Sequence, residues 1–193
     1  GLSALASSAL ADGHKSRDHH GGSKLIGNDL FAMQDETKPD GALNSLWAVS
    51  ETITVTKPIE RNAHMIAGEI AVQAPVGGSI YAAGEEITIA AAVLGDVSLA
   101  AETAKIEPAG AIDGNLRFFG DSLTIAAPVA GNLLLMAHHL ALEEVVVGDV
   151  YFGGETLEFA EAAKIEGQLF LRPGLDLEVP ASVISADRIV RKD

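Results

Sequence analysis

The chain has no cysteine among its 193 residues, which excludes disulfides, zinc-thiolate sites, iron-sulfur clusters and a cysteine nucleophile together. Aromatic residues make up only 5%, and Lys and Arg number 13 against 27 Asp and Glu, a formal charge of -14. Such a surface repels a phosphate backbone, so nucleic acid is not expected as a partner. No apolar run approaches the roughly 20 residues that a membrane-spanning helix needs. What the chain does hold is 48% hydrophobic residues, rich in alanine and branched aliphatics, and 20 glycines. With few rings to fill space, stability must come from a narrow core of small side chains, which points away from a bulky two-layer domain.

Gly1 to Ala11 are small and apolar, and Ala9-Leu10-Ala11 before Asp12 has the small-x-small form of a signal-peptidase site. The expectation is a remnant of a secretory signal on a protein of the periplasm or cell envelope; an ordinary tail on a cytoplasmic protein is the alternative. Residues 12–24 are polar and turn-prone and carry His14, His19 and His20, a composition typical of solvated linker more than of a metal site. Residues 1–25 are read as tail and 26–190 as a folded unit with a C-terminal cap.

The folded unit repeats. Anchors at Leu30, Leu46, His64, Ile80, Val97, Leu116, Leu133, Val150 and Leu169 are spaced by 16, 18, 16, 17, 19, 17, 17 and 19 residues. Two places before them stand Asn28, Asn44, Asn62, Gly78, Gly95, Gly114, Gly131, Gly148 and Gly167. Glycine and asparagine tolerate a left-handed backbone best, so one tight corner is expected to recur. Four places before the anchors runs an apolar column from Ile26 and Ala42 to Ile165, broken once by Glu60. Two places after them come Ala32, Ala48, Ile66, Ala82, Leu99, Phe118, Leu135, Phe152 and Leu171, the alternation of a strand with one side facing a core. A second apolar pair follows at +7 and +9, as in Ile87/Ile89 and Leu123/Ile125, and the third unit reaches it one residue early at Ile70/Val72.

Strands this short are stable only when each hydrogen-bonds to its copy one unit above and below. The fold class is therefore all-β: a parallel β-helix, or β-solenoid, with three short strands per coil of about 17 residues. The intervals leave no room for the helices of a βαβ domain, and the uneven column spacing does not suit a hexapeptide helix. An antiparallel sandwich built from hairpins is the competing architecture.

Residues 76–93 (VGGSIYAAGEEITIAAAV), 93–106 (VLGDVSLAAETAKI), 112–135 (IDGNLRFFGDSLTIAAPVAGNLLL) and 146–159 (VVGDVYFGGETLEF) resemble the polymer-forming repeats of bactofilins and related bacterial envelope proteins. The resemblance covers about residues 26–172. It implies a right-handed, three-sided β-helix that assembles end to end into nucleotide-free filaments or serves as an envelope scaffold. The exported look of the N-terminus and the irregular early coils depart from the typical bactofilin.

Position +1 points away from the core, yet includes Phe31, Trp47, Met65, Tyr81, Leu134, Tyr151 and Phe170. Position +3 beside it includes Met33, Val49, Ala67, Phe119 and Met136. An outward stripe this apolar implies a covered surface, and lateral self-association into a homo-oligomer is the expected use, with an envelope component as another partner. Glycan stacking on Trp47 and Tyr81 is an alternative. Position +5 carries Asp35, Glu51, Glu69, Glu85, Glu102, Asp121, His138 and Glu155, an acidic ladder that keeps the rod soluble or binds hard cations weakly. No cofactor is implied. For an enzyme the best clusters are Arg117 with Asp121, and His138, His139, Glu143 and Glu144; no nucleophilic triad, HExxH or phosphate loop accompanies them, so a non-enzymatic structural role is expected. Thr37 and Pro39 at the first inward positions, and Pro173 and Pro180 followed by a charged terminus, suggest capped ends, with regular laddering ending soon after Leu177.

Overall fold

A computed structural model describes residues 21–191. The signal-remnant segment Gly1 to Ala11 and the histidines His14, His19 and His20 lie outside the described residues. The strands, in chain order, are β1 (Ser23–Ile26), β2 (Asp29–Met33), β3 (Glu36–Thr37), β4 (Ser45–Val49), β5 (Thr52–Val55), β6 (Ala63–Val72), β7 (Ile80–Ile89) and β8 (Val97–Ile106). They continue as β9 (Leu116–Ile125), β10 (Leu133–Leu142), β11 (Val145–Val146), β12 (Val150–Phe152), β13 (Thr156–Phe159), β14 (Lys164–Ile165), β15 (Leu169–Leu171) and β16 (Ile189–Arg191). Apart from β1, they stack in parallel as a β-solenoid of about 10 turns, roughly 17 residues apart.

Alternation explains each coil. In β7, Ile80, Ala82, Ile87 and Ile89 are buried while Tyr81 and Glu86 face outward, and the β-branched residues suit a pleated, half-buried surface. Ile80 pairs with Ala63 below and Val97 above, so each inward residue lands on its own copy and the core is one continuous thin column. The two strands expected per unit at this side are one bent strand in β6 to β10. Gly84 pairs with Ala101 and Glu86 with Thr103, and Glu85 is skipped at the bend.

Small residues line that bend: Ala67, Gly84, Ala101, Gly120, Ala137 and Gly154 alternate up the rod. A Cβ on Gly84, Gly120 or Gly154 would run into the carbonyl of the alanine one coil below. This second small-residue column was not anticipated. The third strand of each coil shrinks to single bridges that link Leu43, Ile59, Val76, Val93, Ile112, Val129 and Val146 in turn.

The third coil corrects the sequence reading. β4 pairs Leu46 with Ala63 and Trp47 with His64, so the inward anchor is Ala63 and His64 points outward. Leu46, Ala63, Ile80 and Val97 then follow one another at 17 residues. Asn62 consequently leaves the corner column, and Arg61 takes that place: its N–H donates to Asn44 O (2.7 Å) and its O accepts from Gly78 N–H (2.7 Å). The break at Glu60 also vanishes, because the inward residues there are Leu43 and Ile59, not Ala42 and Glu60.

The corner glycines do form a line, each N–H donating to the one below, as in Gly95 to Gly78 O (2.8 Å) and Gly131 to Gly114 O (3.0 Å). Their reason is not a left-handed backbone. The positive-φ glycines are Gly27 and Gly174, both outside the column. A Cβ on Gly95 would instead stand 2.6 Å from Gly78 O, so it is the close approach of successive coils that excludes a side chain. The residue after each corner adds a side-chain ladder. Asp96 N–H donates to Ser79 Oγ (3.0 Å), Asn115 N–H to Asp96 Oδ1 (2.8 Å) and Asn132 N–H to Asn115 Oδ1 (2.8 Å). Asn62 belongs here, its Oδ1 accepting from Ser79 N–H at 2.8 Å. These side chains serve the next coil's backbone rather than their own turn.

The ends differ. At the start, β1 folds back antiparallel on β2 through Gly27-Asn28, so Ile26 is an exposed hairpin residue and not the base of the inward column. Thr37 closes the first coil's interior, with its hydroxyl 2.6 Å from Ser50 Oγ. At the other end regular coils stop at Leu171, and the charged terminus rejoins the sheet as β16 beside β15. Val183 and Ile184 plug the last coil, and Arg188 Nη1 donates to the carbonyls of Ile165 (3.0 Å), Glu166 (2.6 Å) and Gly167 (2.8 Å).

Candidate functional site

Outward residues at +1 form an exposed ridge because parallel in-register pairing places each directly over its copy. Phe31, Trp47, His64 and Tyr81 stack in succession, with centroid distances of 6.4, 3.8 and 5.0 Å and interplanar angles no greater than 11°. Tyr151 and Phe170 stack farther along at 4.4 Å and 2°. Ser98, Arg117 and Leu134 occupy the coils between. Met65, assigned to this face from sequence, is instead buried in the core at 2% exposure, and His64 takes its place. The neighbouring +3 ridge gains Ile66, 56% exposed, in place of Ala67, which is buried at the bend.

Between the ridges runs an open, apolar groove of about 720 Å³ that reaches from Gly22 and Phe31 to Phe119. Its polar groups are the His64 imidazole, the Ser98 and Tyr81 hydroxyls and the Trp47 indole N–H. Burial pushes the His64 imidazole below its ordinary pKa. Where the groove ends, Arg117 lies 3.6 Å from Asp96 and donates to Ser98 Oγ at 3.3 Å. The stacked rings use their faces on one another, so what they offer to solvent is edges. A sugar ring that needs an open aromatic face finds little of it on Trp47, and this geometry disfavours the glycan reading.

The acidic ladder is real but shorter. Glu51, Glu85, Glu102, Asp121 and Glu155 recur at the bend with Asp35, whereas Glu69 pairs with Glu86 one column over, and Gly68 holds its expected place above Glu51. Among the described residues no group of three His, Asp or Glu side chains is placed to hold a metal ion. Asp121 is engaged by His138 Nδ1 at 2.7 Å, and His139 Nε2 lies 3.7 Å from Glu158. Arg117 thus pairs with Asp96 rather than Asp121, and the histidine pair splits between two carboxylates on different coils. Neither cluster considered for catalysis is assembled. No helix among the described residues is long and apolar enough to cross a membrane.

No family model, curated protein or solved structure matches this chain at a significant level.

Proposed function

We propose that the protein is a non-enzymatic structural rod that self-associates, as the resemblance of its repeats to those of bactofilins and envelope scaffolds implies. The observation that carries this reading is the apolar outward stripe on an otherwise acidic solenoid: Trp47, Tyr81, Phe119, Leu134, Met136 and Tyr151 are all exposed on one side of the rod. Isolated exposed apolar residues are ordinary, but a contiguous stripe along successive coils marks a surface that is covered in use. The small-x-small run Ala9-Leu10-Ala11 supports a location in the periplasm or cell envelope. End-to-end assembly is the second reading, favoured by the hairpin end, where Leu25 is paired with the half-buried Leu30 at the edge of the core and is 56% exposed.

Light scattering on the full chain tests this. Replacing Trp47, Tyr81 and Tyr151 together by Ser is expected to lower the oligomeric mass while the β-rich circular dichroism persists. An unchanged mass rejects the side face, and electron micrographs showing filaments from that triple variant favour the end contact.

A further inference from the structure

On the first five coils the +1 and +3 columns carry neither a carboxylate nor a cation; His64 is the titratable group at their centre besides the Tyr81 phenol. We propose that a second copy of this chain docks on this face and that protonation of His64 releases it. The proposal rests on the self-association reading above and names its partner and its control.

Two features argue for a second copy. The ridges repeat at the sheet spacing of about 4.8 Å, and another solenoid of the same pitch meets them in register along the whole length. Nine coils at about 4.8 Å by a strand length of about 14 Å give a side face of about 600 Å². That approaches the roughly 800 Å² per partner of a stable interface. An acidic partner of other design would meet the same carboxylate corners without the matching period.

The control follows from what surrounds the imidazole. Trp47 from β4 lies against one side and Tyr81 from β7 against the other, both uncharged near neutral pH. Of the charged groups nearby, Arg61 stands in the preceding turn and Glu51 and Glu85 at the bend, while Lys24 opposite Phe31 and Asp29 two residues before it share this face at its hairpin end, two coils from His64. Docking removes the water that remains around His64, and the +1 and +3 columns of the first five coils supply no carboxylate in its place, so the interface favours the neutral ring. Burial in the single rod already acts in that direction. Attraction of an imidazolium to its two ring neighbours is present in both free and docked rods and does not oppose release.

Sedimentation velocity of the full chain at about pH 8 and about pH 5.5 brackets the histidine range. The dissociation constant of the wild type is expected to rise as the pH falls below the free-rod pKa of His64, by at most about tenfold per pH unit for each docked ring. His64→Phe, or His64→Gln if the first variant folds poorly by circular dichroism, is expected to lose no affinity at the acid pH. Both variants keep His138, His139 and the tail histidines, which isolates the effect to one ring. Carboxylate protonation lessens repulsion and so acts in the opposite sense. Equal wild-type affinity at both pH values, or an equal acid loss in the variants, overturns the His64 control. A wild type that is monomeric throughout overturns the self-association reading instead, and association untouched by Trp47→Ser with Tyr81→Ser overturns docking on this face.

Discussion

His64 lies against Trp47 with 3.8 Å between ring centroids and 9° between planes, although the two residues are one full coil apart in sequence. The contact exists because β4 and β6 pair Trp47 with His64 in register. Burial accompanies it and lowers the imidazole pKa from 6.5. An NMR titration should find His64 below that value, and Trp47→Ala should move it back up. A titration unchanged by Trp47→Ala would show that the indole does not desolvate the ring.

The same shift has a sign for stability. A histidine depressed in the folded state binds fewer protons there than when unfolded, so its contribution is intact above the unfolded value and declines as pH falls through the folded one. His64→Gln should therefore flatten the acid side of the stability profile measured by urea denaturation between about pH 7 and pH 5.

Gly120 tests why the bend is built from small residues. A Cβ there would collide with the Ala101 carbonyl, a backbone atom held in the ladder, whereas a Cβ on Gly41 meets nothing within 4 Å. Gly120→Ala is expected to lower unfolding stability by about 1–3 kcal/mol. Gly41→Ala should stay within about 0.5 kcal/mol of the wild type in the same denaturation experiment.

Asn115 accepts from Asn132 N–H at 2.8 Å while its own N–H donates to Asp96 Oδ1. Asn115→Ala removes the acceptor but leaves the backbone bond below intact. A loss of about 0.5–1.5 kcal/mol is expected, with amide exchange accelerating at Asn132 rather than at Asn115.

Arg188 gathers three carbonyls of the last corner, Ile165, Glu166 and Gly167. Arg188→Met keeps much of the stem and deletes the donors. Hydrogen exchange should show β16 and the Val183 plug opening first, with the middle coils protected as before. The expected cost, confined to local opening of the cap, is about 1.5–3 kcal/mol. Uniform loss of protection along the rod would mean that the cap is not a separate local unit.

Much of the fold was legible in the residues themselves, because a short repeat that cannot bury its apolar face alone must stack on its copies. Columns such as Val97, Leu116 and Leu133, or Gly95, Gly114 and Gly131, therefore announce both the solenoid and its corners. The cause of the corners was less legible: glycine suggests left-handed backbone, and only the carbonyl of the neighbouring coil shows that crowding is the reason. The third coil was ambiguous for a plain reason. In Ala63-His64-Met65-Ile66-Ala67 both alternating phases contain apolar residues, so periodicity alone does not choose between them. The early arrival of Ile70/Val72 was the one hint. Hydrogen bonding to Leu46 and Ile80 made the choice, burying Met65 and Glu69's neighbour Ile70 and turning His64 out between two rings. The sequence by itself determined that the coils stack, since that depends on a repeated pattern. Which ring stands on the outside face of the third coil depends on strand register, and register is set by partners a whole turn away.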